Sequence, residues 1–414
     1  MFHRHESDVL VAGAGPVGLF AALTLARKGV KVRVFEEAWR EATRSYGLVL
    51  HPESLRLLEA ADLLGPLLER GRRVDSLALY DGPERRRELR FQGPGGSPGF
   101  LLVVPQSELE IVLVEALRRA GVKVSWNHRV ARLSEEPGWS IAEVEKLDKV
   151  STGYAVAGTE WVIDATLREK SRYVIGADGH NSMIRRALGI DFESVGPADL
   201  FAVFELETSE PSDQEVRVIL NEDDSNVLWP LPGNRWRFSF RVPNDSEGQL
   251  VRKKSRLWVQ IGDESFEHLD EDVLARLIRM RAPWFKAEVT KLHWSVMVRF
   301  EKRLAARFGC DRGWLAGDAA HLAAPIGVQS LNRGLREAHD LAGRLVEVIK
   351  SSAPPDTLEE YGRRHREEWR GVLGLDGRSP LLDSADEWVR SRAAAIWSAL
   401  PASGEDLDRL IEQL

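Results

Sequence analysis

The sequence predicts an α/β fold with an inserted β-rich domain and a helical C-terminal segment. Three observations predict it: a strand, a glycine turn and a helix at the start, strand-like alternation over residues 129–177 and 199–300, and helical periodicity from residue 330 onward.

Residues 8–12 read as a buried parallel strand, and residues 16–28 as a helix with small residues on its packing side. Between them stands Gly13-Ala14-Gly15-Pro16-Val17-Gly18. Gly13 permits a tight turn, Gly15 leaves room for a pyrophosphate, and Gly18 lets helix and strand approach closely. The helix start offers free N–H groups and a positive dipole end to phosphates. A second strand over 31–35 ends at Glu36, near the offset of about 20 residues at which an acid takes ribose hydroxyls. An acid there disfavours a 2′-phosphate, so this Rossmann-like unit points to FAD or NAD.

Further along, residues 52–69 form an apolar-periodic helix, and 76–80 with 86–91 a hairpin about Asp81-Gly82-Pro83. Residues 93–99 are a glycine-rich loop. Residues 106–120 are a helix between Pro105 and Gly121 that leads into a strand over 122–126. A buried strand over 173–177 breaks into a turn at Asp178-Gly179, and residues 271–280 form a helix within the second β-rich block.

The length of 414 residues predicts two or three domains. A net charge of −7 argues against a nucleic-acid partner. The basic run at 363–366 is interleaved with Glu367 and Glu368, as on a solvated helix face. Cys310 is the single cysteine, which excludes an internal disulfide and a cysteine-based metal cluster. With no signal-peptide pattern and no apolar run near the ~18 residues of a membrane span, the expectation is a cytoplasmic protein without stable membrane insertion.

Two further segments complete a family pattern. One is Gly176-Ala177-Asp178-Gly179-His180-Asn181-Ser182-Met183-Ile184-Arg185. The other is Gly317-Asp318-Ala319-Ala320-His321, followed by Pro325, Gly327, Gln329, Asn332 and Gly334. With the first glycine turn and Glu36, they resemble the class A flavoprotein monooxygenases, the group typified by para-hydroxybenzoate hydroxylase, over nearly the whole chain.

The resemblance implies a Rossmann-like FAD-binding domain of the glutathione reductase type, built from 1–75, 100–190 and 300–350. It implies a β-sheet substrate domain from 76–99 and 191–299, leaving 351–414 as a C-terminal helical segment. The cofactor contacts it implies are Gly13, Gly15, Pro16, Val17, Gly18, Glu36, Glu37, Arg44, Gln106, Asp178, Gly179, Gly317, Asp318, Pro325, Gly327, Gln329, Ser330, Leu331 and Asn332. Pro325, Arg44 and His51 are the catalytic candidates, and Tyr46, Trp229, Trp236, Phe238 and Phe240 the substrate liners. Tyr46, His51 and His293 are candidates for polarising a phenol, whereas His321 reads as structural. Physically, Asp318 can accept hydrogen bonds from ribityl hydroxyls, and the helix after Gly327 can aim its positive end at the flavin edge that becomes anionic on reduction.

The implied chemistry is reduction of FAD by NADPH or NADH, addition of O2 at flavin C4a, and transfer of one oxygen from the hydroperoxide to an aromatic or polyketide-like small molecule. The partners are thus a small-molecule substrate, O2 and NAD(P)H, with the protein a monomer or a homodimer and no metal. Two departures stand out: relatives carry glycine where this chain has Val328 and Ser330, and Asp-Ala where it has Glu337-Ala338. Epoxidase, Baeyer–Villiger or halogenase chemistry is the alternative within flavin oxygenases, although the WxWxIP motif of halogenases is absent. A pyridine-nucleotide dehydrogenase would leave the second and third motifs unexplained, and the Val328 and Ser330 departures motivate a non-catalytic FAD-binding protein.

Overall fold

The computed structural model describes residues 5–39, 47–93, 98–152, 158–221, 225–242, 258–261, 264–267, 269–351, 353–377 and 386–414. Arg44 and Tyr46 lie outside them. The first strand, His5–Ala12, runs parallel to Val32–Phe35 on one side and to Gly158–Gly176 on the other. Val124–Ser125 and Gly313–Leu315 extend the parallel sheet at its two sides. Val9, Leu10 and Val11 are all fully buried, as expected of a strand covered on both faces. The helix Pro16–Arg27 packs against Gln106–Arg119 and against the long helix Gln329–Lys350. An antiparallel arm, His128–Glu136 and Trp139–Thr152, pairs onto the outer part of Gly158–Gly176.

A second sheet has seven strands, in the order Val289–Phe300, Asp199–Thr208, Arg235–Val242, Ser225–Pro230, Glu215–Leu220, Ser76–Asp81 and Glu84–Arg90. Alternation divides its side chains between two faces. On the back face Phe204, Trp236, Phe238 and Phe240 pack with Phe285 and with Val273, Leu274 and Leu277 of the helix Glu271–Arg281. Phe238 meets Phe285 edge-on, with ring centroids 5.0 Å apart. The front face carries Phe201, Val203, Val218 and Trp229, in one cluster with Ile326, Val328 and C-terminal residues including Ile396 and Leu400.

This division corrects the substrate-liner expectation. Trp236, Phe238 and Phe240 belong to the back-face core, and only Trp229 of the four sheet aromatics shares the front cluster with the 326–328 turn. A period of two identifies the alternate set but not which set meets the other domain. A second correction is local: residues 52–69 form two helices, Pro52–Ala60 and Leu64–Leu68. Asp62 breaks them at φ +51°, a left-handed conformation that Asp tolerates better than most residues.

Candidate functional site

At the first turn Gly13 has φ +100°, and a Cβ there would collide with the Ala177 carbonyl. A Cβ on Gly18 would collide with the Gly13 carbonyl, so helix and turn are in backbone contact. Gly15 differs: nothing lies within 4 Å of its Cβ position. It caps the helix Pro16–Arg27 without a side-chain hydrogen bond. Exposed helix N–H groups beside open space fit a pyrophosphate. Glu36 stands next to this turn, its Oε2 accepting from Ala14 N at 2.6 Å and its Oε1 from Ala38 N at 2.9 Å. Glu37 is exposed and pairs with Arg129 at 3.4 Å.

The second motif is built around Asp178. Its carboxylate accepts from Ser182 Oγ at 2.5 Å, Met183 N at 2.7 Å and Ile184 N at 3.1 Å, holding the start of the helix Met183–Ala187. Gly179, at φ +75°, again has open space where a Cβ would stand. Arg185 is buried and joins this motif to the third, donating to Ala319 O at 2.8 Å and His180 O at 2.9 Å. Its guanidinium lies 3.9 Å from the Phe192 ring centroid, and burial lowers its pKa.

Val17 connects the third motif to the first. A Cβ on Gly317 would stand 3.0 Å from Val17 Cγ2, and one on Gly334 would stand 2.7 Å from it. Asp318 is exposed, and desolvation by the protein around it raises its carboxyl pKa. Behind it, Glu337 is fully buried and accepts from Gly317 N at 2.8 Å, His321 Nε2 at 2.9 Å and Trp369 Nε1 at 2.7 Å. Burial pushes the Glu337 carboxyl up, but the charge and hydrogen bond of His321, the charge of His365 and the Gly317 N–H outweigh it, leaving a pKa of about 2. His321 stacks on Trp369 with centroids 3.8 Å apart. The Glu337 departure thus has a function in the fold: its carboxylate holds Gly317 where the Gly-Asp turn begins.

Pro325 O accepts from Val328 N at 3.2 Å, closing a turn in which Val328 sits at φ +48°, ψ +41°. Asn332 is buried, its Nδ2 donating to Val49 O at 2.9 Å and Val328 O at 2.8 Å while its Oδ1 accepts from His51 N at 2.7 Å. His51 is fully buried with Nε2 2.9 Å from Gly327 O. A carbonyl only accepts, so Nε2 carries a proton. Burial first, and then the charge of Arg333, lower its pKa to about 3, against the raising effect of the Gly327 bond. His51 therefore braces the turn from within the protein. Gln329 is also buried, and its amide is directed to the C-terminal segment. Pro325, Ser330 and Leu331 remain half-buried. Gln106 donates to Glu110 at 2.8 Å, and its Oε1 lies 2.6 Å from the Cβ position of Gly47.

The front face of the second sheet also holds a polar group outside the candidates named above. Glu205, almost buried, accepts from Arg237 at 3.0 Å and from Trp294 Nε1 at 3.1 Å. The signal was the arginines at 235, 237 and 241, which alternate with the back-face aromatics along one strand. His293, expected as a candidate for polarising a phenol, instead lies 3.2 Å from Glu207.

A family model described as FAD binding domain matches residues 6–373. Over 379 residues the chain is 29% identical to a 3-(3-hydroxy-phenyl)propionate/3-hydroxycinnamic acid hydroxylase of Comamonas testosteroni, with 90% of this chain and 58% of the relative covered. Over 376 residues it is 29% identical to 6-methylpretetramide 4-monooxygenase of Streptomyces rimosus, with 86% and 58% covered. The chain spans less than two thirds of the length of these two relatives. The fold matches that of p-nitrophenol 4-monooxygenase from Pseudomonas putida DLL-E4 with a TM-score of 0.73 at 22% identity, over 99% of this chain and 96% of the other. The chain therefore belongs to the FAD binding domain family, the class A flavoprotein monooxygenases.

Proposed function

We propose that this protein is an NAD(P)H-dependent flavoprotein monooxygenase that inserts one oxygen atom from O2 into an aromatic or polyketide-like small molecule in the cytoplasm. The observation that carries the reading is Val17 packed between Gly317 and Gly334, which brings the Gly13–Gly18 turn and the Gly317-Asp318 turn together. The relatives named above, one acting on phenylpropionates and one on 6-methylpretetramide, support the substrate class. Among the described residues no helix is long and apolar enough to cross a membrane.

In this reading the uncapped helix start after Gly15 holds the FAD pyrophosphate, Glu36 turns from Ala14 N to the ribose, and Asp318 receives the ribityl hydroxyls. The N-terminus of Gln329–Lys350 offers its dipole and half-buried Ser330 and Leu331 to the flavin edge. Bound FAD supplies hydride acceptance from NAD(P)H and activation of O2, which no side chain can perform. The chain supplies exclusion of water: Pro325 and the apolar residues about it form one wall, and the front face with Trp229 and Trp294 the other. Glu205 and Arg237 are the polar groups on that wall that orient a substrate.

The test is the absorbance spectrum of the purified protein, followed by NADH or NADPH oxidation in air with a panel of phenols and polyketide-like aromatics. A two-banded flavin spectrum and substrate-stimulated oxidation, with oxygenated product by mass spectrometry, are expected. A protein that cannot be loaded with FAD overturns the reading. One that binds FAD but leaves NAD(P)H unconsumed across the panel favours the non-catalytic alternative.

A further inference from the structure

The family match ends at residue 373, yet the chain beyond it returns to the fold. Asp386 pairs with Arg87, Arg392 reaches Asp81 at 3.1 Å, and Gln413 brackets Arg90 by accepting from its N–H at 2.8 Å and donating to its carbonyl at 3.1 Å. Arg56 pairs with Asp406. Ile396, Ala399, Leu400 and Leu407 are buried in the front-face cluster. Residues 386–414 thus form a strap across the front of the substrate sheet.

The strap also presses on the 325–328 turn. A Cβ on Gly327 would stand 2.5 Å from Ser398 O and 3.3 Å from Leu400 O, so the two backbones are in contact. Gln329, the next residue but one, fastens them. It is 5% exposed, its Nε2 donates to Leu400 O at 2.8 Å and Ala402 O at 3.3 Å, and its Oε1 accepts from Arg333 Nε at 3.1 Å. The side chain cannot make these bonds and also reach a cofactor. Beside it Val328 holds a backbone conformation that β-branched residues avoid, so the turn depends on its surroundings to keep its shape.

We infer that Gln329 is a positioning residue that ties the C-terminal strap to the 325–328 turn, so that the strap sets the geometry of the turn facing the flavin. The inference rests on the proposed function only for what the turn faces. The strap is then part of the cofactor site although it lies outside the family match, and displacement of residues 396–402 transmits directly to Val328.

The test is Gln329→Met, which keeps the length and removes both donors. Hydrogen exchange is measured on ligand-free protein, followed by the visible spectrum and dissociation constant of added FAD. Exchange should quicken roughly tenfold or more in both the 396–403 and the 325–331 segments, because the two bonds to the strap are lost together with the bond from Arg333. The flavin bands should shift and FAD bind more weakly. Arg56→Ala, which releases the strap only at Asp406, should quicken exchange at 404–411 and leave the flavin spectrum unchanged. Faster exchange in the strap alone, or an unchanged spectrum and affinity in Gln329→Met, would overturn the inference and leave Gln329 a packing residue. Failure of the wild-type protein to bind FAD would sink the functional reading instead, and the exchange comparison would still decide the coupling. Should Gln329→Met not fold, Gln329→Glu, which keeps the acceptor for Arg333, carries the same readings.

Discussion

Val17 and Gly334 pack so closely that a Cβ on Gly334 would stand 2.7 Å from Val17 Cγ2, although 317 residues of chain separate them (334 minus 17). Two helices are keyed together there: one begins at the Gly13–Gly18 turn and the other at the strained 328 turn. Alanine in a helix is ordinarily favoured over glycine by about 1 kcal/mol, so Gly334→Ala should stabilise if only propensity mattered. The contact reverses the sign, and we expect a loss of about 1–3 kcal/mol from overpacking with at least a tenfold weaker FAD affinity. Urea unfolding and a FAD titration check it; a stabilised variant with unchanged affinity would show that the contact has no consequence.

Val328 provides a second inversion of the usual order. Its φ of +48° is one that glycine adopts freely and a residue with a Cβ does not. Val328→Gly and Val328→Ala remove the same buried side chain contacts, apart from one methyl, but only glycine relieves the backbone. Val328→Gly should therefore be more stable than Val328→Ala by about 1 kcal/mol. Equal urea midpoints, or alanine the more stable, would mean that the turn relaxes without strain.

Both positions belong to motifs that were legible in the sequence, and the reason is that glycines report backbone demands. Gly13, Gly18 and Gly317 each answer a local need that leaves few alternatives. The partners of His51, Gln329 and Glu337 were not legible, because each reaches across 16 to 276 residues to a backbone group or side chain with no sequence signature. Glu337 looked like a departure from family habit and turned out to anchor Gly317 N. Likewise the alternation in 235–242 announced a two-faced strand, while the choice of face depended on where the helix Glu271–Arg281 and the strap settled.

The buried His51 predicts a pH dependence of stability. Its folded pKa is lowered from 6.5 to about 3. The unfolded chain therefore takes up a proton below pH 6.5 while the folded chain does not, and stability falls as pH falls from 6.5 toward 3. The limiting slope for one such group is about 1.4 kcal/mol per pH unit. Replacing His51 by glutamine keeps a donor for Gly327 O and removes the titration. The difference between wild-type and His51→Gln unfolding free energies should thus change across pH 6.5 to 5, whereas parallel curves would place His51 in contact with solvent. Glu337 adds a lower window: its folded pKa of about 2 lies below the ordinary 4.5, so the stability it contributes is present above pH 4.5 and is lost as the pH falls toward 2.

If the proposed function holds, the two faces of the second sheet separate stability from recognition. Phe238 is fully buried on the back face against Phe285. Phe238→Ala should cost about 3–5 kcal/mol, as large-to-small changes in an aromatic core do, while the surviving folded fraction keeps its substrate preference. Trp229 sits in the front cluster with Ile326 and Val328, opposite Arg237 on the neighbouring strand. Trp229→Phe, a milder change in volume, should cost little stability yet alter the ratio of kcat/KM between a small phenol and a multi-ring substrate. The checks are thermal unfolding and NAD(P)H oxidation with both substrates for each variant. A shift in preference in Phe238→Ala with none in Trp229→Phe would place the substrate on the other face and overturn the assignment of the front wall, because the helix Glu271–Arg281 would then have to move to admit it.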